Sequence, residues 1–387
     1  MIEVWVPHQL EDFVRFRNGK SIKAGTDGRY PVYGSNGIIG QSDDFMYEDA
    51  IILGRVGAYC GSVERSFGRF WASDNTIVVE ADSGTTDTQF VYYLLLDASL
   101  NRHAGGAAQP LLTQSRLKPL EFLLPPLHTQ QRIAAILSAY DDLIETNTRR
   151  IAILEEMARR LYEEWFVHFR FPGHEGVEFD GELPREWSAV ELDDLVQINP
   201  RTAVPRVSLK PFVPMGALSE TSMVIEGIEQ RDGNSGTKFQ NADTLVARIT
   251  PCLENGKTGF VDFLDENQPV AFGSTEFIVL RPLILGPCAI YCLARSHAFR
   301  DVAIKSMSGA EGRQRVRPES IQKYPIAQPP ADLLDQFERI VSPMFSRVSL
   351  MARQNANLRA QRDLLLPKLV SGEIDVSGAE AALQAAE

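Results

Sequence analysis

Apolar side chains recur at alternating steps of four and three along two stretches of the chain, and everything else is arranged around them. The first seam is Ile133, Leu137, Tyr140, Ile144, Asn147, Ile151, Leu154, Ala158, Leu161 and Trp165. Flanked by Glu, Arg and Thr, it predicts a coiled-coil helix over roughly 125–170. At about 1.5 Å per residue, some 40 residues make a rod on the order of 60 Å long, longer than a globular core needs. The second seam is Phe337, Val341, Met344, Val348, Met351, Asn355, Leu358, Arg362, Leu365 and Leu369, on a helix over 329–372. Pro125-Pro126 precedes the first helix and Pro329-Pro330 the second, both at an offset of 204. Each pair locks φ and removes a donor just outside a helix start.

Each seam carries one amide, Asn147 fifth of ten and Asn355 sixth of ten. Paired parallel, Asn147 would face Met351 and Asn355 would face Ile151, leaving each buried amide unsatisfied at about 1–3 kcal/mol. Paired antiparallel over their full length, fifth meets sixth and the two amides bond, which also sets register. The expectation is one antiparallel coiled coil formed within the chain.

The remaining sequence reads as two related domains. In 1–124, YPVYGSNGIIG is a turn between short extended pieces, and DAIILGRVGAYCGSV and NTIVVEAD read as strands. FVYYLLLDASL reads as a helix, and GGAAQPLLTQSRLKPLEFLLPP as loop, short helix and last strand. A Gly-, Pro- and charge-rich connector follows the first long helix at 171–186. In 187–328, Trp187, Leu192, Val196 and Gly216 echo Trp5, Leu10, Val14 and Gly34 at an offset of 182. DTLVARITPCLENGKTG echoes DAIILGRVGAYCGSV. The offset grows to 204 by the end, so the second copy carries about 22 extra residues, expected in surface loops. The fold class is α+β: two pseudo-repeated mixed domains, two long helices and a C-terminal tail at 373–387.

Composition narrows the class. The 387 residues suffice for two or three cores, and neither a signal-peptide pattern nor an apolar run of about 18 residues occurs. Cys60, Cys252, Cys288 and Cys292 form no disulfide ladder and no paired CxxC clusters, so reduced buried thiols and a cytoplasmic location are expected. A net charge of −12 argues against gripping nucleic acid unaided. The acidic excess falls partly on the first long helix (Asp141, Asp142, Glu145, Glu155, Glu156, Glu163, Glu164). Basic clusters stand out at Arg15, Arg17, Lys20 and Lys23 and at Arg313, Arg315, Arg317 and Lys323.

Catalytic motifs fail on inspection. Gly256-Lys257-Thr258 would need glycine at 251, where Pro251 stands, to end a phosphate loop; Gly34, Gly37 and Gly40 have the wrong spacing for a dinucleotide fingerprint. There is no G-x-S-x-G, no H-E-x-x-H, and no Asn/Asp-Pro-Pro-aromatic tetrapeptide of an adenine methyltransferase. Asp262, Asp265 and Glu266 read as a solvated turn rather than metal ligands. The expected role is non-catalytic.

The chain resembles the specificity (S) subunits of type I restriction-modification systems. The resemblance rests on the domain–helix–domain–helix duplication and on YPVYGSNGIIG, DAIILGRVG, LPPLHTQQRIAAILSAYDDLIETNTRRI with LYEEWFVHFRFPG, and RDLLLPKLVSGEID. It implies that each domain is a target-recognition domain reading one half of a split, asymmetric site in double-stranded DNA. It also implies two methyltransferase subunits docked on the helices and, through them, restriction subunits. S-adenosylmethionine, ATP and Mg would sit on those partners, with no cofactor or metal in this chain. Gly216-Ala217-Leu218-Ser219 replaces the GSNG of the first domain, as halves reading different sequences would allow. Half-sites one DNA turn, roughly 34 Å, apart suit rigidly spaced readers.

Base reading needs Arg for guanine and Asn or Gln for adenine, with Lys, Arg and Ser on phosphates. Those types on loops give Lys20, Lys23, Ser35, Asn36, Arg55, Gln109 and Arg116 in the first domain. In the second they give Lys210, Arg231, Lys238, Arg248, Lys257, Arg313, Gln314, Arg315 and Arg317, the Arg313–Arg317 cluster foremost. The competing reading is a coiled-coil interaction adaptor that binds no nucleic acid.

Overall fold

The computed structural model describes residues 4–106, 109–204, 209–310 and 314–376. The chain divides into two compact units, the first of residues 1–144 and 356–387, the second of residues 145–355. Each long helix therefore contributes one half to each unit.

In the first unit, β1 (Val6–Gln9) leads into a single turn, α1 (Leu10–Phe13), and then β2 (Val14–Asn18). The hairpin β3 (Tyr30–Gly34) and β4 (Gly37–Ser42) turns through Ser35-Asn36, where Gly37 takes a φ of +87° that disfavours a side chain. The apolar runs form β5 (Tyr47–Gly54), β6 (Val63–Ala72) and β7 (Thr76–Ala81). The order is β2-β7-β5-β6-β3-β4, antiparallel except for β3 with β6. Asp49, at φ +50°, bulges β5 where its register with β6 slips. The helix α2 (Thr88–Asp97) is capped by Asp87, whose carboxylate accepts the Phe90 N–H at 2.8 Å. A short α3 (Gln114–Leu117) precedes β8 (Glu121–Leu124), which pairs with β1.

The first long helix, α4 (Leu127–Tyr162), ends in one π turn over Glu163–Val167. Its first half closes the first unit's core: Ile133 and Leu137 pack with Phe90, Leu94, Leu366, Leu369 and Val370. Buried Gln130 ties its start down, accepting from Asp87 N–H at 3.0 Å and donating to the Pro125 carbonyl at 2.9 Å.

The second unit opens with a small hairpin, β9 (Phe179–Asp180) and β10 (Leu183–Pro184), and then repeats the plan. β11 (Ser188–Glu191), α5 (Leu192–Leu195) and β12 (Val196–Ile198) lead to β13 (Leu209–Val213) and β14 (Glu229–Asp232). Next come β15 (Thr237–Gln240), β16 (Thr244–Ala247), β17 (Thr258–Phe260), β18 (Val270–Gly273) and β19 (Phe277–Pro282). Two four-stranded sheets result, β12-β19-β16-β17 and β14-β13-β18-β15, again with one parallel pair, β13 with β18. Together they follow the first unit's order, with β5 divided into β15 and β16 and β6 into β17 and β18. The division falls at Ala242 (φ +72°), where the first unit has only the Asp49 bulge. Buried Asp243 stands there, held by both arms of Arg281 at 2.6 and 2.7 Å. α6 (Pro287–Arg295), α7 (His297–Lys305), α8 (Pro318–Gln322) and β20 (Pro325–Gln328), paired with β11, complete the unit before α9 (Ala331–Val370).

Part of the extra length of the second copy lies between β13 and β14. The offset between equivalent positions rises from 180 at Val32 and Phe212 to 189 at Gly40 and Glu229. This connection is not the surface loop the sequence suggests. Ala217, Leu218, Met223 and Ile225 are buried in it, because apolar residues spaced through the insertion fold back on the sheets.

Every seam position is buried or half-buried. Within the second unit, Trp165 and Tyr162 meet Phe337 edge-on, and further along Asn147 Nδ2 donates to Asn355 Oδ1 at 3.0 Å. Asn355 Nδ2 donates in turn to Thr148 Oγ1 at 3.2 Å. Within the first unit, the seam's one charged member, Arg362, donates to Asp141 at 2.5 Å, and Asp141 also accepts from the Tyr93 hydroxyl at 2.7 Å.

Carboxylates pin the helices to the second unit. Glu155 of α4 accepts from Ser222 Oγ and Met223 N–H, both at 2.7 Å. Glu338 of α9 accepts the Cys288 and Ala289 N–H groups at the start of α6, and Ser349 bonds Asp262. Burial pushes the Glu155 and Glu338 carboxyls above the usual range, opposed by these hydrogen bonds. Burial likewise raises the Cys288 and Cys292 thiols, which keeps them protonated packing groups. No helix among the described residues is long and apolar enough to cross a membrane.

Two outcomes follow. A double-mutant cycle on Asn147→Ala and Asn355→Ala, read by chemical denaturation, is expected to give a coupling of about 1–3 kcal/mol, since either single change takes a partner from the remaining buried amide. Glu155→Gln tests the buried charge. A carboxyl whose folded pKa is raised binds its proton more tightly when folded, so its stabilisation is present at low pH and lost as pH rises through that pKa. Stability of Glu155→Gln relative to the parent should therefore increase from pH 5 to pH 8; a difference independent of pH would refute the assignment.

Candidate nucleic-acid interface

In the first unit, four loop segments meet beyond the ends of β3, β5 and β7. Arg55, just after β5, donates its backbone N–H to the Asn75 carbonyl at 2.9 Å and accepts from Leu112 N–H at 2.9 Å. Val56 forms a bridge with Leu111, and Gly57 N–H reaches the Pro110 carbonyl at 3.1 Å. Ser35 fastens this cradle: its hydroxyl donates to the Asn75 carbonyl at 2.7 Å and accepts from the Arg55 and Val56 N–H groups at 3.2 Å. Asn36 and Gln109 are exposed at its rim. Lys20 is exposed beside it, its N–H on the Ala72 carbonyl, and exposed Arg116 reaches the His103 carbonyl at 3.4 Å. Lys23 stands apart, near the bridge between Gly25 and Gln41 of β4.

The second unit builds the same cradle from equivalent positions. Arg248, just after β16, donates its N–H to the Glu276 carbonyl at 3.0 Å and accepts from Val316 N–H at 2.9 Å. Ile249 and Ser308 bridge Arg315, as Val56 and Gly105 bridge Leu111. Thr250 N–H reaches the Gln314 carbonyl at 3.1 Å. The backbone and the arginine repeat, while the side chains around them do not. Where the first unit has Asn75 and Leu111, the second has Glu276 and Arg315, joined by Nε and Nη2 of the arginine at 2.7–2.9 Å. Arg248 Nε lies 3.8 Å from the same carboxylate. The Arg315 guanidinium, and to a lesser degree Arg248, holds the Glu276 carboxyl below the usual range. Arg317 Nε donates to Ser308 Oγ at 3.0 Å.

The fold thus gathers Ser35, Asn36, Arg55 and Gln109, flanked by Lys20 and Arg116, and separately Arg248, Gln314, Arg315 and Arg317. It leaves others out. Lys210 is only 3% exposed on β13, so its ammonium is withdrawn from any duplex approaching the surface. Arg231 lies on β14, bound to Glu229 and 3.8 Å over the Phe212 ring. Lys238 is half-buried on β15, and Lys257 points its ammonium at the Met215 carbonyl, 3.5 Å away. Arg313 lies outside the described residues. Among these, no group of three or more His, Cys, Asp or Glu is placed to hold a metal ion.

Asn75 and Glu276 escaped the reading of residue types, although a signal for them existed. Ser73-Asp74-Asn75-Thr76-Ile77-Val78-Val79 aligns with Ser274-Thr275-Glu276-Phe277-Ile278-Val279-Leu280 at an offset of 201. Only the paired strands turn that alignment into a shared position beside an arginine.

A family model described as the type I restriction modification DNA specificity domain matches residues 2–156. The MjaIX specificity subunit of Methanocaldococcus jannaschii is 28% identical over 309 residues, 75% of this chain and 69% of that one. The HindI specificity subunit of Haemophilus influenzae is 22% identical over 385 residues, covering 81% and 83%. The Escherichia coli EcoprrI specificity subunit is 33% identical over a shorter stretch, 34% of this chain and 32% of that one. In fold, the chain is similar to a type I restriction-modification S subunit from M. genitalium, with a TM-score of 0.64 at 15% identity over 95% of this chain and 96% of that one. The domain matched at the N-terminus is thus a DNA specificity domain. Over most of its length, the chain is similar to specificity subunits of type I restriction-modification systems.

Replacing Ser35 by Ala takes the acceptor from the Val56 N–H and a second partner from the Arg55 N–H and the Asn75 carbonyl, which still bond each other. A loss of about 1–3 kcal/mol in the stability of the chain is expected on denaturant titration.

Proposed function

We propose that the two units read the two halves of a bipartite, asymmetric DNA site, each through its own cradle. The first reader would span residues 1–124 and the second residues 187–328. The long helices, paired as an antiparallel coiled coil, would join the readers and dock two methyltransferase subunits. What carries this reading is the repeated cradle: one backbone arrangement, bearing Arg55, Asn75 and Leu111 in one unit and Arg248, Glu276 and Arg315 in the other. Two readers of unlike half-sites need such a scaffold, since base identity is read by side-chain donors and acceptors while the backbone keeps them in place.

Chemistry would lie with the partners. Methyl transfer from S-adenosylmethionine to adenine N6, and ATP- and Mg-dependent cleavage by restriction subunits, need groups for which this sequence has no motif. Enclosure by those partners in the cytoplasm would also let a chain of net charge −12 hold DNA.

The test is co-expression with a type I methyltransferase subunit that assembles with this chain, in a host lacking adenine methylation, followed by mapping of modified adenines by long-read sequencing. A split motif that depends on this chain is expected. Exchanging residues 187–328 for those of another specificity subunit should then change one half-site and leave the other. A stable complex with no motif, and no salt-dependent gel shift, would instead favour the adaptor that binds no nucleic acid.

A further inference from the structure

Resting on that reading, we infer that Asn75 and Glu276 are equivalent specificity-determining positions, one for each half-site. The carbonyl of each accepts the N–H of the cradle arginine, Arg55 or Arg248, at 2.9 and 3.0 Å. Each follows a serine that braces the turn: Ser73 Oγ accepts Asn75 N–H, and Ser274 Oγ accepts Glu276 N–H. Ser73 N–H binds the Tyr33 carbonyl just as Ser274 N–H binds the Val213 carbonyl. The backbone at these two positions is therefore set identically, and the side chain is what distinguishes them.

Their chemistry differs in a way that bears on base edges. Asn75 is exposed and offers an amide, a donor and an acceptor side by side, the pattern that matches adenine. Glu276 offers acceptors only, and Arg315 occupies them with Nε and Nη2. This bidentate pair leaves Nη1 of Arg315 in a fixed direction, on a side chain that is 43% exposed. Glu276 thus acts as a positioning residue for Arg315 and its neighbour Arg248, the two guanidinium groups of the second cradle. In the first cradle, with Leu111 in place of Arg315, no such pair forms and the amide is presented directly.

The whole complex, co-expressed as above, tests this with Asn75→Glu, Glu276→Asn and the near-isosteric Glu276→Gln, each checked for assembly by gel filtration. Changes at 276 are expected to relax or alter one half-site, with methylation of the parental motif falling about tenfold or more. Asn75→Glu should do the same to the other half-site. A merely structural role would lower methylation without altering which bases are read. Uniform loss in assembled complexes, a parental motif methylated at the parental level, or both variants altering the same half would each overturn the assignment. Absence of any split motif with the unaltered chain would instead overturn the functional reading beneath it.

Discussion

An amide buried in an apolar seam must find another polar group, and this requirement organises the second unit. Asn147 and Asn355 are each nearly inaccessible, and they satisfy each other at 3.0 Å with Thr148 completing the set. Sliding either helix by one turn would set an amide against an apolar neighbour at about 1–3 kcal/mol, whereas apolar seam residues would tolerate the slip far better. The apolar positions make the helices adhere. The amides decide where they adhere.

The same logic extends from the helices to the domains they carry. Asp141, Glu155 and Glu338 each take hydrogen bonds from the sheet-bearing part of their unit. A buried carboxylate without donors would be costly, so these contacts are directional where apolar packing is not. The cradle loops are consequently attached to a framework whose register is specified at several points.

Between the two cradles the structure separates what is held constant from what varies. Main-chain groups, together with the hydroxyls of Ser73 and Ser274, make the shared geometry. Arg55 and Arg248 are shared, while the side chains at 75 and 111 and at 276 and 315 differ without disturbing it. This is how one duplication can yield two dissimilar binding surfaces: main-chain hydrogen bonds are indifferent to residue type, so substitution there changes chemistry before it changes shape.

Much of this was legible in the sequence. The steps of four and three marked both long helices, apolar β-branched runs marked β5 and β7, and the two seam asparagines could be singled out because an amide is conspicuous among Ile, Leu and Val. Residue type alone was a weaker guide to the cradles: it selected Lys210, which β13 buries, and passed over Asn75 and Glu276, whose carbonyls lie in them. Local pattern records periodicity and composition, and so determines which elements form and which faces turn inward. Which loops meet is settled by strand order, by a bulge at Asp49 that becomes a break at Ala242, and by hydrogen bonds between positions tens of residues apart. Those depend on contacts that no local pattern contains, and only the tertiary structure decided them.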